Sequence, residues 1–272
     1  MTRPVPVLMY HHVCPHAGTV TVSPQTFAAH MAYLARSGFN ALSADEFLEY
    51  MEGRRKLSGR NVLITFDDGY LDNYVYAFPE LRRHGLKATI FAITGQIGDG
   101  PTRACAGDDA PLPPTPDHRE CKTAVDEGRA DDVMLRWSEI EVMETSGTVE
   151  VHSHTHTHQR WDRAIPDPAK RLDAVHSDLA VSRDTIRQRL GKSSRHLCWP
   201  WGYAEPGYVN VASELGFSAQ YSVERGTNFV GGDARRILRI VIKDRPGAWF
   251  ASRMWIYGDP IVSRVYTRLR GE

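Results

Sequence analysis

The sequence of 272 residues predicts a single α/β domain, in which parallel strands are joined by crossover helices. Its length and its composition, 42% hydrophobic and 24% charged, suit one large domain of this class. Strand-like and helix-like segments alternate along the whole chain. Three segments rich in catalytic residue types follow directly on predicted strands. In a β/α barrel, the ends of the strands are where active sites are built.

Apolar, β-branched or aromatic runs bounded by turn residues mark the predicted strands. The clearest run, at residues 62–66, is almost continuously apolar, as expected for a strand that is buried on both faces. The predicted strands cover residues 6–10, 39–42, 62–66, 87–93, 148–153, 195–199, 217–223 and 237–242.

The helices between these strands are predicted from their N-terminal caps and from the glycines that end them. Ser23 caps the first helix, and Ser43 with Glu46 forms a capping box for the second. Ser138 and Glu141 predict another box for the helix before residue 147. The main predicted helices cover residues 24–37, 43–53, 72–84, 138–147, 167–191 and 207–215.

The strand and helix pattern lapses over residues 94–132, where glycine, proline and aspartate accumulate. A loop of this length inside a compact domain is usually functional or disordered. We expect a domain spanning residues 1–272 with an insertion at about 94–132 that covers one mouth of the fold. A short helix is predicted near residues 121–127.

Charge and composition exclude several classes of protein. Lys+Arg and Asp+Glu both number 33, so no overall basic field favours a nucleic acid partner. The N-terminal apolar run is too short for a signal peptide, and no window has the apolar length of a membrane span. A cytoplasmic protein with free thiols is expected, and whether Cys105 pairs with Cys121 stays open.

Two adjacent carboxylates, Asp67 and Asp68, end the predicted strand at residues 62–66, and Gly69 follows them. Strand geometry sends neighbouring side chains to opposite sides. One carboxylate can therefore bind a metal while the other faces the substrate. The alternative is an ordinary strand followed by an Asp-Gly turn.

Four histidines occupy every second position of residues 152–158. In a fully extended chain all four would face one way, and two or three could converge on an ion such as zinc. The alternative is a histidine-rich surface loop. The metal site is favoured because this cluster follows a strand, as the aspartate pair does, and a carboxylate with two histidines forms a common open site.

Three motifs resemble those of the polysaccharide deacetylases, carbohydrate esterase family 4, which share the NodB homology domain. Residues 65–69 are similar to the first motif, residues 153–158 to the His-Ser/Thr-x-x-His second motif, and residues 199–203 to the Pro-aromatic-Gly third motif. The resemblance implies a distorted (β/α) barrel with about seven strands.

The second motif fits the sequence in two registers. One selects His154 and His158 as metal ligands, and the other selects His152 and His156. We favour the first because residues 150–151 then supply the acidic and apolar lead-in of the family.

Carried over residue by residue, the resemblance implies a metal held by Asp68, His154 and His158. Zinc is expected, with cobalt, nickel or manganese as alternatives. Asp67 would be the general base that activates water. The backbone N–H of Trp201, which follows Pro200 in the third motif, would help to hold the oxyanion.

This chain departs from the family pattern at the arginine that orients the general base. That arginine stands two residues before the proline of the third motif, where this chain has Cys198. Arg239 is the candidate replacement. The alternative is that Arg239 is a surface charge at a strand edge.

A second departure concerns the general acid, a histidine that follows the last apolar strand of the family. No histidine follows His196 here, but residues 7–11 have that character at the opposite terminus. The chain therefore resembles a circular permutation of the family, with His11 as the general acid. The rival His12 would point to the other face of the strand.

The predicted function is the removal of the N-acetyl group from an N-acetylhexosamine. The substrate would be a glycan or a lipid-linked sugar of envelope or lipopolysaccharide assembly, and aromatic residues near the motifs, including Tyr70, suit a sugar ring. Aromatic and basic residues within 246–270 predict peripheral membrane contact, with a helix that closes the barrel as the alternative. Two other functions stay open: a catalytically silent glycan-binding relative, and a metal-dependent hydrolase of another ester or amide.

Overall fold

A computed structural model describes residues 3–269 of the chain. Its strands, in chain order, are β1 (Val7–Tyr10), β2 (His12–Val13), β3 (Thr21–Val22), β4 (Phe39–Ala41), β5 (Arg60–Phe66), β6 (Ala88–Ala92), β7 (Val149–Ser153), β8 (His196–Cys198), β9 (Ala219–Tyr221) and β10 (Ile240–Val241). Its α-helices are α1 (Pro24–Arg36), α2 (Ala44–Met51), α3 (Phe78–His84), α4 (His118–Asp126), α5 (Trp137–Thr145), α6 (Trp161–Ala164), α7 (Pro168–Leu190), α8 (Pro206–Glu214), α9 (Gly247–Gly258) and α10 (Val262–Leu269).

The main sheet is entirely parallel and curls into a barrel. Seven strands of the described chain follow the order β10-β1-β5-β6-β7-β8-β9, and β4 pairs with β5 beside this path. Leu8 of β1 lies opposite both Ile240 of β10 and Ile64 of β5. A parallel bridge from Tyr221 of β9 to Ile237, just before β10, draws the two ends of the sheet together. The predicted distorted (β/α) barrel is therefore confirmed.

Alternation along the buried strands divides the core into two parts. Leu8 and Ile64 face outwards and pack with apolar side chains of the surrounding helices. Val7 and Leu63 face inwards, into a cluster to which Phe91 of β6 also contributes. Because both faces are covered, these strands carry apolar residues at successive positions, which is the pattern that predicted them.

Of the helix caps read from the sequence, those at Ser23 and Ser43 are present and the one at Ser138 is not. The capping box of Ser43 and Glu46 is present at α2. The box predicted at Ser138 and Glu141 is wrong, because the Arg136 N–H donates to the Glu139 carboxylate at 2.8 Å. A buried ion pair with Arg103 fixes Glu139 at this position, so a tertiary contact decides where α5 begins.

Residues 94–132 lie beside the carboxyl end of β5. The helix in this segment, α4, begins at His118, earlier than expected, because Asp117 caps it. The Leu135 N–H donates to the Gly69 carbonyl, and Tyr70 forms an antiparallel bridge with Met134. Residues 134–135, which follow directly on the segment, thus join its end to the turn after the aspartate pair.

The C-terminal helices pack against the outside of the barrel. Phe250 of α9 is buried and stacks on His30 of α1 with the ring centres 4.0 Å apart. Trp255 and Ile261 are exposed on the outer surface. Within residues 3–269, no helix has the length and apolar character needed to cross a bilayer. Arg270, the last residue of the predicted membrane-contact segment, lies outside the described residues.

Candidate active site

The aspartate pair diverges through a turn rather than through strand alternation. Asp68 has a φ of 74° and Gly69 a φ of 85°, so the chain enters the left-handed region directly after Asp67. The Ile93 N–H donates to the Asp68 carbonyl at 3.1 Å, which fixes this turn against the end of β6. As a result, Asp67 faces the barrel interior and Asp68 faces the histidine segment, the division predicted from the sequence.

Asp68, His154 and His158 converge on one point. The Asp68 Oδ1 lies 3.3 Å from the His154 Nε2 and 3.5 Å from the His158 Nε2. One carboxylate with two imidazoles is a donor set that suits zinc and similar divalent ions, and it leaves positions free for water and substrate. The residues present therefore fit the metal that the sequence implied.

Contacts around this set orient the ring of His154 and keep the ring of His158 neutral. The His154 Nδ1 is hydrogen bonded to the Cys198 carbonyl at 2.8 Å, which orients the other ring nitrogen towards Asp68. Burial, together with the charge of His154, lowers the pKa of His158 to about 4, so its ring is neutral. Burial alone would raise the pKa of Asp68, but the neighbouring histidines hold it well below its usual range.

The four alternating histidines do not face one way, because the segment does not stay fully extended. Strand β7 ends at Ser153, and positive φ angles of 65° at Thr155 and 59° at His158 bend the segment back. The His152 Nδ1 instead contacts the Ser194 Oγ at 2.9 Å. The His156 Nδ1 contacts the Thr94 Oγ1 at 3.0 Å. The structure thus brings together His154 and His158, and not the competing pair.

Arg239 lies where the general base needs a cation. Its Nη1 and Nη2 donate to the two oxygens of Asp67 at 2.7 and 2.8 Å, and its side chain is fully buried. This excludes the surface-charge alternative. Burial would raise the pKa of Asp67, but the charge and hydrogen bonds of Arg239 lower it, so the carboxylate is ionised. The Cys198 Sγ lies 3.1 Å from the Arg239 Nη2, beside the place that the family arginine would take.

A second group of donor atoms, from Asp67, His154 and Cys198, is also close enough to surround an ion. Both oxygens of Asp67 are already engaged by Arg239. A divalent ion there would sit next to a buried guanidinium, which is electrostatically unfavourable. The set centred on Asp68 is therefore the better metal site.

His11 and His12 point to different faces, as predicted. The His11 Nε2 lies 3.9 Å from the Asp67 Oδ2, with 21% of the side chain exposed. Burial lowers the pKa of His11, whereas the charges of Asp67 and Asp68 favour its protonated form. His12 is fully buried, and its Nδ1 contacts the Asp72 Oδ2 at 2.6 Å.

The aromatic residues near the motifs differ in what they offer a sugar. Trp201 has a φ of 60°, is 57% exposed, and lies 5.5 Å from His158 between ring centres, while Pro200 beside it is buried. The expectation that Tyr70 presents a ring face to substrate is not supported, because Tyr70 is 6% exposed and stacks on His12 at 3.8 Å.

Sequence reasoning missed three residues close to this site. Asp72 supports His12, and His118 and Lys122 come from α4 of the insertion. His118 begins α4 and is partly buried. No local pattern singles it out, because only the folded path of residues 94–132 brings it to His12, where the ring nitrogens lie 3.1 Å apart.

Comparison with known proteins identifies the family. Residues 54–220 match the sequence profile described as Polysaccharide deacetylase. The chain belongs to the polysaccharide deacetylase family. The resemblance read from the three motifs is therefore confirmed. His11 and Arg239 lie outside the matched residues, so their roles rest on geometry.

Individual relatives agree with this family. The chain is 43% identical over 94 residues to the "Putative polysaccharide deacetylase YxkH" of Bacillus subtilis (strain 168), covering 35% of this chain and only 33% of that relative. It is 24% identical over 230 residues to the poly-beta-1,6-N-acetyl-D-glucosamine N-deacetylase of Staphylococcus epidermidis, covering 82% of this chain and 68% of that one. The solved structure of IcaB from Ammonifex degensii has a TM-score of 0.73 at 26% identity and covers 94% of this chain and 97% of that chain.

Proposed function

We propose that this protein is a metal-dependent N-deacetylase that hydrolyses the acetamide of an N-acetylhexosamine. One observation carries the proposal: a carboxylate and two imidazoles that suit a divalent ion lie beside a second carboxylate, Asp67, which Arg239 holds ionised. Membership of the polysaccharide deacetylase family supports the same reaction.

The residues of the chain divide the chemistry among them. Asp68, His154 and His158 hold the divalent ion, which polarises the amide carbonyl and acidifies water when bound. Asp67 takes the proton of the attacking water, and Arg239 keeps both carboxylate oxygens oriented for this step.

The leaving amine needs a proton, and His11 is the proposed donor. Its Nε2 lies 3.9 Å from Asp67, so the base and the acid can face the same substrate. The backbone N–H of Trp201 is the proposed oxyanion donor. Trp201 lies in a turn and has a positive φ. Zinc is the proposed ion because histidine and carboxylate ligands suit it, with cobalt, nickel or manganese as alternatives.

The proposed substrate is a glycan that contains N-acetylglucosamine. One relative supports this choice, since it is named for poly-beta-1,6-N-acetyl-D-glucosamine and is similar to this chain over 230 residues. The exposed Trp201 beside His158 offers a face on which a sugar ring can pack.

A lipid-linked amino sugar of envelope or lipopolysaccharide assembly is the narrower substrate proposal, in a cytoplasmic, peripherally membrane-bound protein. Three exposed apolar side chains of the C-terminal region, Trp255, Ile261 and Val265, support contact with lipid. Flotation with vesicles that contain anionic lipid tests this part alone, and absence of binding removes it.

The silent glycan-binding alternative rested on the loss of the arginine at Cys198, and Arg239 weakens it by contacting Asp67.

The decisive experiment measures acetate and free amine released from β-1,6-linked N-acetylglucosamine oligomers, from a lipid-linked N-acetylhexosamine and from a non-sugar acetamide. Release from either sugar, with none after metal removal, is expected. Release from the non-sugar amide alone would favour a different hydrolase, and no release by fully metal-loaded protein would contradict the proposal.

A further inference from the structure

A chain of hydrogen bonds runs from the barrel to the insertion beside the active site. The Asp72 Oδ2 lies 2.6 Å from the His12 Nδ1, and the His12 Nε2 lies 3.1 Å from the His118 Nδ1. His12 is fully buried and stacks on Tyr70, so its ring cannot turn freely. Asp72 is fixed in turn, because it also accepts from the Val13 N–H at 3.2 Å.

His118, the last residue of this series of hydrogen bonds, lies on the wall of the active site. His118 and Lys122 are one helical turn apart on α4 and share a face. The Lys122 Nζ lies 5.3 Å from the ring centre of Trp201, which itself packs beside His158. The ring centre of His118 also lies 6.0 Å from that of Tyr70, two residues after Asp68, so its ring is near the reacting groups.

The hydrogen bonds fix which atom His118 offers to a ligand. Its Nδ1 is occupied by His12, and within residues 3–269 its Nε2 has no hydrogen-bond partner. The Asp72 carboxylate can only accept, so the His12 Nδ1 carries a proton, and the Nε2 of this tautomer accepts from the His118 Nδ1–H. The His118 Nε2 then carries a lone pair that can accept. Burial lowers the pKa of His118, which agrees with a neutral ring.

We propose that His118 is a substrate-contact residue that accepts a hydrogen bond at Nε2 from a hydroxyl of the amino sugar. The Asp72–His12 pair positions its ring and selects its tautomer. The proposal rests on the proposed function, because it names a binding contact of the same site. It assigns to the insertion a role in holding the sugar rather than in cleaving the amide.

Three substitutions of His118 separate a substrate contact from a structural role. The amide of glutamine places a polar atom near the position of Nε2, whereas that of asparagine places one near Nδ1. His118→Ala should raise the KM for an N-acetylglucosamine oligomer about tenfold and change kcat by less than about threefold. His118→Gln should recover most of this loss and His118→Asn should not. Arg119→Ala, an exposed neighbour on a different face of α4, is the matched control.

Sugar binding is measured separately on metal-loaded protein made inactive by Asp67→Asn, so that the test does not depend on turnover. Weaker sugar binding by His118→Ala, restored by glutamine, supports the contact. This holds even if the wild type releases no acetate, since that result contradicts only the proposed function. An unchanged Kd and KM, or recovery by asparagine instead of glutamine, would overturn it. If the alanine variant does not fold, the glutamine and asparagine variants decide. Absence of sugar binding by any variant would remove both proposals.

Discussion

The guanidinium of Arg239 contacts both oxygens of Asp67, at 2.7 and 2.8 Å, in a fully buried pair. The two residues are far apart in sequence, and they meet because β10 lies beside β1 and β1 beside β5. Arg239, directly before the last strand, therefore supplies the cation that the family places before the third motif. A bidentate pair fixes the direction of the carboxylate as well as its charge.

Replacing Arg239 tests whether it orients Asp67 in place of the family arginine that is absent at Cys198. Arg239→Met removes the cation and should lower kcat/KM about 100-fold or more, because Asp67 loses its orientation and its pKa rises. Arg239→Lys keeps the positive charge but cannot contact both carboxylate oxygens in the same bidentate way, so its kcat/KM should lie between those of the wild type and Arg239→Met. Adding Cys198→Arg to Arg239→Met should restore part of the activity, since Cys198 lies 3.6 Å from Asp67.

Stability must be followed in the same series, because an unpaired buried carboxylate costs about 3–5 kcal/mol. Urea unfolding separates misfolded variants from folded inactive ones. Wild-type kcat/KM in folded Arg239→Met protein would show that Asp67 does not need this cation.

The proposed metal ligands are tested by measuring the metal content of variants rather than their activity. Alanine at His154 or at His158 should leave protein that retains far less than one zinc after dialysis, as measured by mass spectrometry. His156→Ala is the matched control, since His156 contacts Thr94 and not Asp68, and it should keep a full complement. Metal loss in His156→Ala together with retention in His158→Ala would favour the other register of the motif.

The assignment of His11 as general acid predicts a loss of rate without a loss of metal. His11→Ala should lower kcat about 10²–10⁴-fold, the usual contribution of a positioned acid or base. Zinc content and the KM for the sugar should stay near wild type, because His11 faces Asp67 and not the ligand set. The exposed His16→Ala is the control. A His11→Ala enzyme with wild-type kcat would move the acid elsewhere.

The fold and the candidate ligand set could be predicted from the sequence because both depend on local pattern. Buried strands leave apolar runs, and the three motifs mark strand ends, so Asp67, Asp68 and the register of His154 with His158 were accessible. The left-handed conformation of Asp68 and the bend at Thr155 were not, because no glycine marks either position. Alternation describes the four histidines only in a fully extended segment, and this segment bends.

Contacts between distant segments set the remaining features. Arg239 could be named as a candidate, but its burial depends on how β10 closes the barrel. His118 carried no signal, since only the path of the insertion brings it to His12. Tyr70 was expected to face substrate, and the stacked ring of His12 covers it instead.

The buried His30, which is not one of the proposed metal ligands, predicts how the free energy of unfolding changes with pH. Burial lowers the pKa of His30 to about 4 from an ordinary value near 6.5, and its ring is stacked on Phe250. Below the ordinary value the unfolded chain takes up a proton that the folded protein does not bind. Stability should therefore fall as the pH drops through this interval, by up to about 3 kcal/mol from this residue.

Urea unfolding of the wild type and of His30→Gln between about pH 7.5 and about pH 5 measures the contribution of His30 to the pH dependence of stability. The variant should lose less stability on acidification than the wild type. His176→Gln, at an exposed position of α7, should behave like the wild type. Equal pH dependence in the wild type and His30→Gln would show that His30 is not the responsible group.

The central claim is that Asp68 serves the metal while its neighbour Asp67 serves the reaction. The most direct test is the rate of acetate release from an N-acetylglucosamine oligomer by Asp67→Asn protein that carries a full complement of zinc. The account predicts that this variant binds zinc as the wild type does and releases acetate at least about 10²-fold more slowly. Release at the wild-type rate, or loss of the zinc itself, would contradict this division of roles.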